Sequence, residues 1–284
     1  MADLEAPPTT SASQLVGYAM CARKYAAQYV YHLESEFTSL PLIMGTVVHS
    51  GIEWWFGERL EGRSPTIEGA LEVVSADLVA ATAGVNVRWK EATPESLEAQ
   101  ASGLVRLYLE ERGDLPVAAV EVAFSLELEH PAPEGQFLPR PLKGYFDLVL
   151  EDGKVIEIKT SSKAWPESFL ERHLQVGAYA SVWNALHGGP SQIEVHVLVK
   201  NKKPRLDVIQ VERGEANSAW WFGAAQAIEE AILAGHFPPS PGPLCVECEY
   251  QRACARWGEV TAEARRRRPS LPVVHESNAL AFAM

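Results

Sequence analysis

GYFDLVLEDGKVIEIKT, residues 144–160, reads as two short strands around a turn. Tyr145 to Leu150 is apolar apart from Asp147. Glu151-Asp152-Gly153-Lys154 carries an Asp-Gly turn signal, and Val155 to Lys159 alternates in the manner of a strand. The two-residue period sets Val155, Glu157 and Lys159 on one face, with Ile156 and Ile158 on the other. Closing the hairpin brings Asp147, Glu157 and Lys159 together. Two carboxylates suit a hard divalent cation, Mg²⁺ or Mn²⁺, and the ammonium can orient a water or offset phosphoryl charge. A surface hairpin with solvated charges has the same local sequence.

The next segment narrows the choice. Pro166 to Leu186 predicts a helix on which Gln175 and Tyr179, four residues apart, share a face. The ordered string G-x-x-D, E-x-K, Q-x-x-x-Y resembles the PD-(D/E)XK nuclease superfamily, in particular its RecB-type branch. The resemblance implies metal binding by Asp147, Glu157 and the Ile158 carbonyl, a Lys159 that assists the attacking water, and Gln175 and Tyr179 beside the site facing DNA. It also implies an α/β fold, a mixed central sheet flanked by helices, with the metal acids at one edge.

Composition sets bounds. The 284 residues are 47% hydrophobic with eight tryptophans, ample for the core of one large domain. No apolar run reaches the roughly eighteen residues of a membrane span. The start, MADLEAPPTTSAS, lacks the basic and apolar regions of a signal peptide, so the cytoplasm is the expected location. A net charge of −12 argues against a general nucleic-acid coat protein, whereas contact with DNA through a local basic groove stays open.

Working outward, residues 1–12 are expected to be a loose N-terminus and 13–258 the folded unit, with a helical insertion over about 44–113. A first helix is predicted over Ser13 to His32, capped by Ser11 or Ser13. It carries Cys21, Arg23, Lys24 and Tyr25, which resemble the segment that opens iron–sulphur RecB-type nucleases, with Ala22 in place of the usual proline. A second helix from about Met44 carries Gly45 and His49, and in that family a histidine in this setting is an additional metal ligand. Trp54, Trp55 and Phe56 read as core. Thr66 to Ala83 and Pro94 to Arg112 are further helices, joined by a loop in which Arg88 and Lys90 flank Trp89, two cations that either reach DNA or belong to a solvated loop. A strand beginning near Pro116 holds Glu121, a residue type that precedes the Asp strand in the family and lies near its metal. Past the Gln/Tyr helix, a strand–turn–strand collects Lys200, Lys202, Lys203 and Arg205 at its turn. These cations suit phosphate contacts or a charged edge that blocks aggregation. Glu215 to Ala234 is a last amphipathic helix whose Trp220, Trp221 and Phe222 read as core.

All four cysteines fit one site: Cys21, then Cys245, Cys248 and Cys254 spaced C-x₂-C-x₅-C. Disulfides are disfavoured in a cytosolic chain. Tetrahedral zinc and a [4Fe–4S] cluster both take four cysteines. The arrangement resembles the iron–sulphur staple of RecB-type nucleases, which include the AddB subunit of bacterial helicase–nucleases and a CRISPR adaptation nuclease. The resemblance implies a cluster joining the N- and C-terminal segments. Residues 259–284 read as a basic helix end, Arg265 to Pro269, and an irregular tail.

The expectation is a Mg²⁺- or Mn²⁺-dependent DNA exonuclease preferring single strands, in recombination, repair or CRISPR adaptation. With no P-loop in the sequence, a helicase or recombination partner would supply any motor. A nuclease fold retained as a DNA-binding or assembly scaffold is the alternative.

Overall fold

The computed structural model describes residues 6–131, 135–188 and 191–267. In chain order these form β1 (Thr10–Ser11), α1 (Ala12–Met20), α2 (Ala22–Tyr25), α3 (Leu40–Leu60), α4 (Ile67–Thr82) and α5 (Pro94–Arg112). Then come β2 (Val117–Leu126), β3 (Leu142–Leu150), β4 (Val155–Ser161), α6 (Glu167–Leu170) and α7 (Leu174–His187). The chain continues through β5 (Ser191–Val199), β6 (Arg205–Arg213), α8 (Glu215–Leu233), α9 (Gln251–Ala255) and α10 (Trp257–Arg267).

The hairpin lies at the centre of a mixed sheet. The six strands run β1-β3-β4-β5-β6 with β2 on β3, and β4–β5 and β1–β3 are the parallel pairs. Val155 to Ile158 are at most 2% exposed, which rules out a surface hairpin. Ile156 and Ile158 pack with Val47, Val48, Val74 and Val105 of α3, α4 and α5. Val155 faces the other layer, among Leu15 of α1, Val182 of α7 and Trp221 of α8. Each fully buried aliphatic side chain contributes on the order of 1.5–3 kcal/mol, so covering both faces makes β4 a rigid base for what it carries.

Close approaches and caps fix the helices. A Cβ on Gly51 of α3 would lie 2.8 Å from Val74 and 3.3 Å from Val105, so the missing side chain lets α4 and α5 close on α3. Thr66 caps α4 by accepting from the Gly69 amide at 3.1 Å. Thr93 and Ser96 form a reciprocal capping box on α5. The α3 helix begins at Leu40, earlier than its sequence predicts, with Pro41 in the first turn where a missing amide costs nothing.

Two predicted helices are broken by tertiary contacts. The segment 13–32 splits at Cys21, whose backbone is extended, and ends in a π turn, Ala26–Val30. The Arg23 amide donates instead to the Pro238 carbonyl at 3.2 Å, so the C-terminal segment takes a bond the helix would have kept. The segment 166–186 breaks after Leu170, because the buried Arg213 guanidinium donates to the Leu170 and Glu171 carbonyls. His173 then caps the start of α7.

The N-terminus is tied down from Pro7 onward. Thr10 and Ser11 pair with Leu142 and Lys143, and the Pro7 carbonyl accepts from Arg140 at 2.7 Å. Residues 1–5, 132–134 and the tail from 268 lie outside the described residues, Pro269 among them. Arg265 stays within them and donates to the Tyr31 hydroxyl at 3.1 Å.

Candidate metal centre at a strand fork

Strand β2 covers one edge of β3 from Leu142 to Leu150. The other edge is shared. Strand β4 pairs only at Leu148–Ile156 and Val149–Val155, and β1 takes Leu142 and Lys143 at the far end. Between them β3 and β4 part. Asp147 and Glu157 are the residues just past the last pair, so the two acids sit in the crotch of the fork, between central strands and not at a sheet edge. The carboxylate bridges the opening: Asp147 Oδ2 accepts from the Ile158 amide at 2.7 Å.

The paired strands change face here. In β3, Leu148 and Leu150 pack with α3–α5, whereas Phe146 and Leu142 pack with the opposite layer although they share the same parity. In β2, Val120 and Val122 divide the same way. The switch falls at Glu121, whose φ of +46° is left-handed for a non-glycine residue. Such a backbone costs about 1–3 kcal/mol and is concentrated at functional sites. Here it accompanies a ligand group: one atom each of His49, Glu121 and Asp147 lie within 4.8 Å of one another.

Glu157 is held tightly but incompletely. Its Oε1 accepts from Lys159 and, at 2.7 Å, from Gln175 Nε2. Gln175 Nε2 also donates to the Tyr179 hydroxyl at 2.9 Å. The other carboxylate oxygen, Oε2, is buried with no protein partner among the described residues. An orphaned buried carboxylate oxygen is costly unless a cation meets it.

The titration of these groups follows from burial. Burial pushes the Asp147 and Glu157 carboxyls up to about 7, and for Glu157 the facing Asp147 adds to the shift. Burial alone would lower the Lys159 ammonium, but Glu157 and Asp147 outweigh it and the pKa stands above the usual lysine value. Burial and the nearby Lys159 lower His49. A neutral imidazole bonded to the Ile158 carbonyl at 2.9 Å must donate from Nε2, leaving the Nδ1 lone pair 3.8 Å from Asp147 Oδ2. The donor set is therefore a neutral ring nitrogen, carboxylates and a carbonyl oxygen, the chemistry that suits Mg²⁺ or Mn²⁺.

The structure thus gathers His49, Glu121, Asp147, Glu157, the Ile158 backbone, Lys159, Gln175 and Tyr179. It adds Glu53, four residues after His49 on α3, whose charge helps to raise both Glu121 and Asp147. The i,i+4 spacing to His49 was the available signal. The tip cations are not gathered: Lys202 and Lys203 are exposed, and Arg205 is held by Asp207 at 2.8 and 3.1 Å. Trp55 donates to the Gly113 carbonyl, Phe56 and Trp221 are buried, and these aromatics serve packing.

The cysteines lie on two docked segments. Cys21 is at the α1–α2 break, Cys245 and Cys248 are in and after the turn Pro243–Glu247, and Cys254 is on α9. The docking uses Lys24–Glu249 at 2.9 Å, Glu36 N to the Glu249 carbonyl at 2.9 Å, and an Arg23 guanidinium 4.0 Å from Cys254 Sγ. All four are free thiols, and no three of them gather within 4.8 Å.

Residues 9–255 match the family model described as the PD-(D/E)XK nuclease superfamily. Among solved structures, the chain is similar to a candidate exonuclease from Eubacterium rectale, at 14% identity and a TM-score of 0.54, covering 94% of this chain and 91% of that one. A second solved structure, SSO0001, is 15% identical over 89% of this chain and 88% of its own, with a TM-score of 0.39. No curated protein sequence matches.

Proposed function

This chain belongs to the PD-(D/E)XK nuclease superfamily, and from that membership we propose that it is a divalent-metal-dependent deoxyribonuclease that degrades single strands from an end. The reading is carried by the fork, where Asp147, Glu157 and Lys159 meet with one carboxylate oxygen left for a cation. His49 Nδ1, Glu121, Asp147, Glu157 Oε2 and the Ile158 carbonyl are the atoms that would hold Mg²⁺ or Mn²⁺. The bound ion would polarise the scissile phosphate and lower the pKa of its water.

Lys159 is held against the Glu157 carboxylate, beside the place of the attacking water. Its part is to orient that oxygen and to face the charge that grows on the phosphoryl group. Gln175 fixes the Glu157 carboxylate in one orientation, with Tyr179 behind it as a hydrogen-bond partner. Exonuclease action is favoured by the description of the Eubacterium rectale neighbour and is the finer part of the proposal. Linear and covalently closed circular DNA, single- and double-stranded, distinguish the cases in Mg²⁺ or Mn²⁺. Loss of linear single strands with circles intact is expected. Cutting of circles would make the protein an endonuclease. No cutting by folded protein that binds Mn²⁺ would point to a scaffold.

The strained Glu121 gives a second test. Glu121→Ala is expected to weaken Mn²⁺ binding by calorimetry at least tenfold, at the lower end of what the loss of supporting groups costs at metal sites. Equal affinity in the variant would remove Glu121 from the ligand set.

We further propose that the four cysteines hold a [4Fe–4S] cluster, as in the iron–sulphur RecB-type branch. One zinc with Zn–S bonds of about 2.3 Å needs its sulfurs about 3.8 Å apart. No three of the four thiols lie within 4.8 Å of one another, and a cube, in which each thiolate has its own iron, takes a wider set than one zinc does. Iron and sulphide in anaerobically purified protein are expected. Stoichiometric zinc in their place would overturn the assignment.

A further inference from the structure

A cleft of about 540 Å³ opens against the α3–α5 layer. Its walls come from the start of α3, the start of α5, the α4–α5 loop and the end of β5, and they bring Phe37, Arg88, Lys90, Gln100, Lys200 and Glu247 together. Arg88 and Lys90 share one loop, and Lys200 comes from a hairpin more than a hundred residues later. The chain links the cleft to the site at two places. Lys200 donates its amide to the Ser161 carbonyl at 2.7 Å, and Lys159 lies two residues earlier on the same strand, about 7 Å along it. Leu40 lines the cleft, and His49 lies nine residues further along α3, about 13 Å on.

The cations differ in how they are held. Lys90 has an anion already, Glu247 at 2.7 Å, and its φ of +53° is strained for a lysine. The Arg88 guanidinium lies 4.8 Å over the Phe37 ring and gives a bond to the Val246 carbonyl at 3.1 Å, which fixes its plane, and its charge also acts on Glu247. Lys200 is half-buried, and burial lowers its pKa with no carboxylate opposing the shift. A desolvated cation facing an open cleft is stabilised by an arriving anion. A single strand is flexible enough to bring its phosphates to both cations.

We propose that this cleft is the track for a single DNA strand, with Lys200 and Arg88 contacting phosphates adjacent to the one presented to Asp147 and Glu157. The assignment rests on the nuclease reading above and extends it to the substrate path. Hairpin-tip Lys202 and Lys203 then lie off the path, although the sequence groups them with Lys200.

The test is fluorescence anisotropy of a labelled oligo-dT in Ca²⁺ at about 50 mM salt, with strand integrity checked on a gel. Arg88→Ala/Lys200→Ala is expected to weaken binding at least tenfold. The log–log salt dependence should become shallower by about 1.4, roughly 0.7 for each single-strand phosphate that is no longer neutralised. Arg63→Ala, which removes a remote surface cation bonded to Glu58, should bind within twofold of wild type. Because Arg88 also supports the Val246 carbonyl, Lys200→Glu is run beside the double variant, and it too should bind at least tenfold more weakly. If wild type cleaves in Mn²⁺ but the Lys200 variants bind as tightly as wild type, the cleft assignment is wrong and the nuclease reading stands. If wild type neither binds nor cleaves, both fall.

Discussion

Lys159→Ala is expected to reduce metal-dependent cleavage about 10³-fold, the scale on which a single stabilising donor matters in a transition state. The folded structure should survive. Lys159 projects from a strand whose neighbours Ile156 and Ile158 are buried independently of it. The loss arises from two effects. The ammonium that faces the phosphoryl charge is gone, and the cation that offsets Glu157 and Asp147 is gone with it. Both carboxyls then titrate higher still, so metal must displace protons more often near neutral pH. Single-turnover cleavage at saturating Mn²⁺ separates these contributions, because excess metal restores occupancy without restoring the ammonium. Lys159→Arg should rescue little, since a planar fork does not replace a compact point charge packed against a buried carboxylate. A Lys159→Ala protein that cuts like wild type would remove Lys159 from the machinery.

The centre of the fold was legible because local chemistry determined it. The Asp-Gly turn set the hairpin, the two-residue period set the faces of β4, and Thr66 and Pro94 marked helix starts within a residue. What escaped depended on partners distant in sequence. The break at Cys21 requires the Pro238 carbonyl, and the break after Leu170 requires the buried Arg213. Periodicity within either segment carries no trace of those contacts. The fork escaped for a different reason: simple alternation through Phe146, Leu148 and Leu150 predicts one face for all three. The paired strands change face at Asp147 and Glu121, so the period fails at the residues that hold the chemistry. Strain at Glu121 sets that change, and φ cannot be read from a glutamate in a run of apolar residues.

The site legible in sequence was therefore the part carried on one hairpin and one helix. Asp147, Glu157, Lys159, Gln175 and Tyr179 lie within 33 residues of chain, from 147 to 179. His49 reaches them from α3 across more than a hundred residues, |i−j| 109 to Ile158, and its role came through resemblance. Glu53 had only its i,i+4 spacing to His49 to mark it, and the cleft cations were legible as local charge groups but not as one wall.

Arg140→Ala is expected to destabilise the protein by about 3–5 kcal/mol, the cost of leaving a buried charge without its partner. Arg140 grips Glu229 through two parallel bonds, Nε to Oε2 at 2.6 Å and an outer nitrogen to Oε1 at 2.9 Å. The side chains are 6% and 0% exposed, so water cannot reach Glu229 when the guanidinium is removed. Arg140 also donates to the Pro7 carbonyl, so one side chain joins the N-terminus, the entry to β3 and α8. Helix α8 packs against α7 through Trp221, whose ring leaves no room for a Cβ on Gly177 and whose indole donates to the Leu174 carbonyl at 2.7 Å. Slack in α8 therefore reaches the helix that carries Gln175 and Tyr179. In a chain of this size the loss corresponds to a fall in Tm on the order of 10 °C. Arg140→Met/Glu229→Leu should recover most of it, because replacing both members removes the stranded charge while refilling the volume. A fall of less than about 2 °C in the single variant would mean that Glu229 finds another partner or a proton at small cost. Recovery of stability without recovery of cleavage in the double variant would show that the ion pair orients α7 as well as holding the layers together.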